Sequence, residues 1–300
     1  MPLTFRLGTG DDSYTAFRIF QDTAMDLGER LGVSAITGGH DPKVIEELWQ
    51  RRRPLFEHLA RTGDQFWIAE HDGQPVGYAR SIVRDGLRQL TEYFVLPGSQ
   101  SAGVGRELLA RTFPQDGVAH RSIIATIDQR AVVRYLKAGT YPRFAAYHFM
   151  YRPESELVEL ETDLTFEPLA AEHVPLLAAI DQAIIGHTRD VDHWWLATDR
   201  QGYLYRRDGN PVGYGYVGYR SGPFALLDER DYLAVLAHAE RAAVERGEDF
   251  GVEVPLINRH AVDYLLMRGY RMDTFFEFFM TNEPFGKFEN YIFTSPPFFL

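Results

Sequence analysis

The sequence predicts an α+β protein built from two tandem copies of one fold, each a mostly antiparallel mixed sheet flanked by helices. Three recurrences carry that prediction. Asp72-Gly73-Gln74-Pro75-Val76-Gly77-Tyr78 returns as Asp208-Gly209-Asn210-Pro211-Val212-Gly213-Tyr214, 136 residues later. Leu3-Thr4-Phe5 returns as Leu164-Thr165-Phe166 at an offset of 161. Ala131, Gly139 and Met150 return as Ala261, Gly269 and Met280, each 130 residues on. Recurrence of three stretches in the same order marks a duplication.

Each element has a local reason. A strand near Leu3–Leu7 leads into Gly8-Thr9-Gly10-Asp11-Asp12, whose aspartates suit a helix N-terminus. Helices are expected over Tyr14–Leu31 and Pro42–Arg61, the second with apolar Val44, Ile45, Leu48, Leu55 and Leu59. Phe66–His71 and Val76–Val83 flank Asp72-Gly73 and read as a hairpin. Leu90–Leu96 is the next strand, Gly103–Phe113 a helix, Ser122–Ile127 a strand, Ala131–Lys137 a helix and Arg143–Tyr151 a final aromatic strand. The second copy repeats the hairpin, a helix over Tyr232–Glu245, a strand over Gly251–Val254 and a helix over Ala261–Met267. After Pro153 the acidic run Glu154, Glu156, Glu159, Glu161 and Asp163 reads as a solvated linker. The expected division is therefore residues 1–153, a linker at 154–163, and a second copy at 164–300. That copy is 25 residues shorter ahead of its hairpin and six shorter behind it.

Composition narrows the function. With 31 Lys+Arg against 42 Asp+Glu, the net charge of −11 argues against a nucleic-acid or anionic-membrane partner, which needs a basic face. The chain has no cysteine, so disulfides, thiolate metal sites and a cysteine nucleophile are excluded. No stretch reaches membrane-spanning length and the first residues lack the basic-then-apolar run of a signal peptide, so a cytoplasmic protein is expected. His187, Asp190 and His193 share no regular helical or strand face, and no metal is expected.

The most specific local signal is Gln100-Ser101-Ala102-Gly103-Val104-Gly105, between an apolar strand and a helix bearing Val104, Leu108 and Leu109. Glycines there let successive N–H groups converge at a helix N-terminus, a cradle for a diphosphate, although a plain tight turn uses glycine in the same way. The second copy has Phe224-Ala225-Leu226-Leu227-Asp228-Glu229-Arg230-Asp231 at this place, without glycine and with three carboxylates.

These residues resemble the GNAT superfamily of acyl-CoA-dependent N-acyltransferases. Its Gln/Arg-x-x-Gly-x-Gly/Ala signature is matched by Gln100, Gly103 and Gly105, and Glu92-Tyr93-Phe94-Val95-Leu96-Pro97 is similar to the stretch that precedes it. A second motif, Asn-x-x-Ala-x-x-x-Tyr/Leu-x-x-x-Gly-aromatic, is met by Asp128, Ala131, Tyr135 and Gly139 in copy one, with Thr140 before Tyr141. In copy two it is met by Asn258, Ala261, Leu265, Gly269 and Tyr270. Asp128 departs from the family's Asn, and copy two lacks the first motif.

The resemblance implies a catalytic N-terminal domain and a degenerate C-terminal one that serves as a built-in pseudo-dimer partner. It implies transfer of an acetyl group from acetyl-CoA, as co-substrate, to a primary amine of a small molecule, in a monomer or homodimer. The cofactor-binding residues implied are Phe94, Val95 (backbone N–H), Gln100, Ser101, Ala102, Gly103, Val104, Gly105, Arg106 and Asp128. Glu92, ionisable within an apolar strand, is the expected general base, or else a solvent-facing strand position. Tyr135 matches the family's proton donor to the leaving thiolate, or else packs its helix. Asp128 equally suits the N-cap before Ala131, and Arg106 an exposed helix position. The acceptor is expected beside Gly28–Pro42, Tyr141, Phe144, Tyr147 and Phe149, with the aromatic tail from Pro284 at the domain interface or next to that cleft. Two other functions fit the same residues: a non-catalytic acyl-CoA sensor or scaffold, and an N-acyltransferase acting on protein or peptide amines.

Overall fold

The computed structural model describes residues 3–32, 39, 41–99, 103–150 and 156–300. Their packing forms two units: residues 1–123 with 128–140, and residues 124–127 with 141–300.

In the N-terminal unit, β1 (Leu3–Leu7) is followed by α1 (Ser13–Leu31) and α2 (Pro42–Thr62). Phe17, Phe20, Ala24 and Leu27 recur at three- and four-residue spacing and form the buried stripe of α1. The helix stops at Gly32, whose φ of +65° closes its C-terminus. In α2, Asp41 caps the start by accepting from Lys43 N–H at 2.9 Å. Next come β2 (Gln65–His71), β3 (Gln74–Arg84) and β4 (Leu87–Val95), then α3 (Val104–Thr112), β5 (His120–Thr126) and α4 (Gln129–Lys137). The β2–β3 turn places Asp72 at φ +56° and Gly73 at +75°, the left-handed pair that a two-residue hairpin requires. Strands β1 to β4 pair antiparallel in order, and β5 joins β4 in parallel. One face of this sheet carries α1 and α2, with Phe17, Phe20, Phe56 and Tyr78 between them. The other carries α3, whose Val104 and Leu108 pack on Ala69, Ala79 and Val95.

The C-terminal unit holds β6 (Tyr141–Met150), β7 (Leu164–Pro168), α5 (Val174–Ile184) and α6 (Asp190–Asp199). These are followed by β8 (Gln201–Arg207), β9 (Asn210–Val217), β10 (Phe224–Leu226), α7 (Tyr232–Glu245), β11 (Val252–Pro255), α8 (Arg259–Met267), β12 (Arg271–Thr281) and β13 (Tyr291–Ile292). The β8–β9 turn repeats the left-handed pair, with Asp208 at +50° and Gly209 at +78°. Strands β13, β10, β9, β8 and β7 form one sheet in that order. In the other grouping β6 lies between β12 and β11, antiparallel to both.

Packing and duplication therefore divide the chain differently. The last strand of the first repeat lies between two strands of the second, and its Phe149 enters the core under α7 and α8. The aromatic tail forms β13 within the C-terminal unit. There Phe288 and Phe293 pack with Phe144 and Phe279 as core.

Candidate active site

In the N-terminal unit the described sequence-predicted residues lie on β4, on α3 and at α4, around the place where β4 leaves β5. The parallel pairing runs only from Leu87 with His120 to Leu90 with Ile123. At the next residue β4 bulges: Arg80 faces Glu92 and Ser81 faces Leu90, so Thr91 has no partner across β3. The Thr91 hydroxyl holds the bulge by donating to the Arg80 carbonyl at 3.1 Å. Beyond it, β4 continues to Val95 without β5. Leu96 N–H donates to Val76 at 2.9 Å, toward β3, so alternation aims the amides of Tyr93 and Val95 to the side β5 has left.

At the end of this opening α3 begins. Gly103 is its N-cap with φ +82°, and the first intrahelical bond runs from Glu107 N–H to the Gly103 carbonyl at 3.2 Å. The amides of Val104, Gly105 and Arg106 thus have no acceptor within the helix. A Cβ on Gly105 would collide with the Tyr93 hydroxyl, with Arg134 Nε 3.5 Å from the same point. Backbone donors, a helix N-terminus and a nearby guanidinium together fit a diphosphate, and glycine at 105 admits the Tyr93 hydroxyl beside them. Gln100, Ser101 and Ala102 lie outside the described residues.

The bulge sorts β4 between two faces. Tyr93 and Val95 point toward α3, while Glu92 and Phe94 point toward α1. Phe94 meets Phe20 at 5.2 Å and Tyr78 at 5.7 Å, so its side chain lies on the face opposite the cradle. Glu92 has no exposed side-chain surface: Oε2 lies 3.2 Å from Arg80 Nε, and Oε1 accepts from the Tyr78 hydroxyl at 2.8 Å. Burial pushes its carboxyl above the ordinary glutamate value, against Arg80 and Tyr78, which favour the ionised form. Arg80 is itself held by the Phe56 carbonyl at 2.8 Å and the Phe66 ring at 4.2 Å. On the same face, the Ser122 hydroxyl and the side-chain amide of Gln21, buried on α1, have no partner among the described residues.

Tyr135 is buried on α4 and meets Tyr93 edge-on at 5.9 Å. Burial raises both phenols, Tyr93 to about 12 and Tyr135 further. Asp128 caps α4 by accepting from Arg130 N–H at 2.9 Å and pairs with the guanidinium groups of Arg130 and Arg30, each at 2.9 Å. Burial opposes its ionisation, but those hydrogen bonds hold its carboxyl well below the usual range. Arg106 is exposed and pairs with Glu107 at 3.3 Å.

Tyr93 and Arg134 were not singled out by the sequence. The available signal was Arg130 and Arg134 at four-residue spacing on α4, one turn of basic charge beside Tyr135.

Tyr214, the counterpart of Tyr78, bonds to Asp181 and accepts from Arg189 at 2.6 Å, and His193 lies 2.8 Å from Asp181. His193 is thus a buried hydrogen-bonding side chain.

Residues 62–140 match the model of the acetyltransferase (GNAT) domain. That segment spans the hairpin, the bulge, the cradle and Tyr135. Solved structures match over almost the whole chain. A proposed acetyltransferase from Pyrococcus horikoshii is 17% identical with a TM-score of 0.72, covering 96% of this chain and 92% of its own. A tandem GNAT protein from the clavulanic acid biosynthesis pathway is 12% identical, TM-score 0.60, covering 94% and 99%. A GCN5-related N-acetyltransferase from Sphaerobacter thermophilus is 13% identical, TM-score 0.60, covering 95% and 97%. A search of curated proteins finds no match. Residues 62–140 thus resemble a GNAT acetyltransferase domain, and the chain shares the fold of tandem GNAT proteins.

Proposed function

We propose that this GNAT-type acyltransferase moves an acetyl group from acetyl-CoA to a primary amine of a small molecule, and that residues 1–153 carry the reaction. The parting of β4 from β5 at the Thr91 bulge, with the α3 cradle at its end, is the observation that carries this reading. Acetyl-CoA supplies the activated acyl carbonyl. The amides of Val104, Gly105 and Arg106 and the Arg134 guanidinium hold its diphosphate, and the Val95 amide faces the carbonyl oxygen. A donor of that kind contributes about 3 kcal/mol where oxyanion charge develops. Glu92 takes a proton from the substrate ammonium through water, because its carboxylate has no exposed surface, and the freed amine attacks the acyl carbonyl. Tyr135 supplies a proton to the leaving thiolate. Asp128 fixes the start of α4 and thereby the placing of Tyr135. The unpartnered groups of Gln21 and Ser122 favour an acceptor that carries polar groups besides its amine.

The absence of cysteine makes the test direct, since a thiol reagent reads only released CoA. Calorimetry with acetyl-CoA, followed by an amine panel, should give binding and then amine-dependent thiol release. A second reading, a non-catalytic acyl-CoA sensor, is favoured by the burial of both Glu92 and Tyr135. Binding without thiol release across the panel would select it, and no binding at all would end both.

A further inference from the structure

The place between β4 and β5 has a counterpart between β10 and β11, since both pairs follow the repeated hairpin and flank the repeated helix. In the C-terminal unit that place is filled by the chain itself. On one wall Ile292 pairs with Phe224 and Tyr291 with Ala225. On the other, Phe293 N–H donates to the Glu253 carbonyl at 3.0 Å, an antiparallel bridge to β11. Asn258, the counterpart of Asp128, caps α8 through Oδ1 and with Nδ2 donates to the Tyr291 carbonyl at 3.3 Å. Asn290 Nδ2 donates to the Leu226 carbonyl at 2.7 Å. Tyr291, Ile292 and Phe293 are fully buried.

An extended backbone with an edge on each wall satisfies both parted strands at once, which β10 and β11 do not do for each other. Meanwhile Asp228, Glu229 and Asp231 stand where the N-terminal unit has its glycines. Asp228 accepts from the Arg230 N–H at 3.0 Å, so a turn amide of the kind that is left without an acceptor in the N-terminal unit is already satisfied here. We infer that the C-terminal unit contains a peptide-binding groove whose resident ligand is the chain's own strand at Asn290–Phe293. This unit takes an extended peptide where the N-terminal unit takes acyl-CoA. The comparison rests on the acyl-CoA reading of the N-terminal unit; the groove itself does not.

The test inserts a protease site after Glu283 and cuts the folded protein there. The tail peptide, residues 284–300, should stay bound through gel filtration and exchange with a labelled copy. A copy carrying Asn290→Ala and Tyr291→Gly should compete at least tenfold less well. Loss of the peptide from a core that stays folded overturns the groove. Should the cut protein unfold, hydrogen exchange on the intact chain decides. Amides of 291–293 should be protected, and saturating acetyl-CoA should leave that protection unchanged while slowing exchange at 103–107. Release of tail protection by acetyl-CoA, or two acetyl-CoA molecules bound per chain, overturns the inference. Absence of any acetyl-CoA binding, with the tail still protected, fails only the N-terminal reading.

Discussion

Gly105→Ala separates a cradle from a tight turn. The new methyl would meet the Tyr93 hydroxyl first, then its Cζ at 3.3 Å and Arg134 Nε at 3.5 Å. Tyr93 must swing away, weakening its edge-on contact with Tyr135, worth about 0.5–1.5 kcal/mol. Overpacking of this kind costs about 1–3 kcal/mol, and the gain in helix propensity returns up to about 1. The net loss of stability should therefore be about 0–2 kcal/mol, and the variant should fold. Binding should suffer more. If the displaced Tyr93 ring keeps a diphosphate from two amides, each hydrogen bond to a charged group forfeits about 1.5–3 kcal/mol, together roughly 10²- to 10⁴-fold in Kd. Denaturant melts and acetyl-CoA titration read the two quantities separately. Adding Tyr93→Phe removes the first atom met, so the double variant should regain stability and affinity together. A folded Gly105→Ala protein that binds acetyl-CoA within threefold of the parent would refute the cradle.

Three further outcomes are expected. Because burial raises the Glu92 carboxyl, the acid limb of the kcat/KM profile should lie above the ordinary glutamate range. Glu92→Gln should lose that limb and at least tenfold in kcat; an unchanged profile removes Glu92 from proton transfer. Tyr135→Phe keeps the ring that meets Tyr93, so stability should change by about 1 kcal/mol at most while kcat falls about 10²-fold or more; equal kcat would leave Tyr135 a packing residue. His238 stacks on Phe166 at 4.2 Å, and burial, then Arg241, lowers its pKa from 6.5 to about 4. Its contribution is fully present above pH 6.5 and is lost as pH falls through 4, up to about 3 kcal/mol. His238→Phe should flatten the stability profile across that window, and a parallel profile would contradict the burial argument.

Much of the fold was legible because its signals are local. The Asp-Gly hairpins need left-handed backbone at two adjacent residues, and both copies adopt it at Asp72-Gly73 and Asp208-Gly209. Helix α1 follows from its apolar spacing, and the α3 start from glycine at a left-handed N-cap. The face of a side chain on β4 was not legible. Gln89 and Glu92 differ in parity yet share a face, because Thr91 bulges, and a bulge is set by the strands on either side of it. Phe94 was therefore grouped with the cofactor, while Tyr93, which reaches the cradle, was not.

The duplication, the glycine turn and the loss of that turn from the second copy are thus written in the sequence, since each depends on residues within one turn or hairpin. Which strand β6 pairs with, and that β13 lies between β10 and β11, were decided only by tertiary structure. An aromatic strand presents the same donors and acceptors to any open edge, so its partner is set by which edges the rest of the chain leaves unpaired.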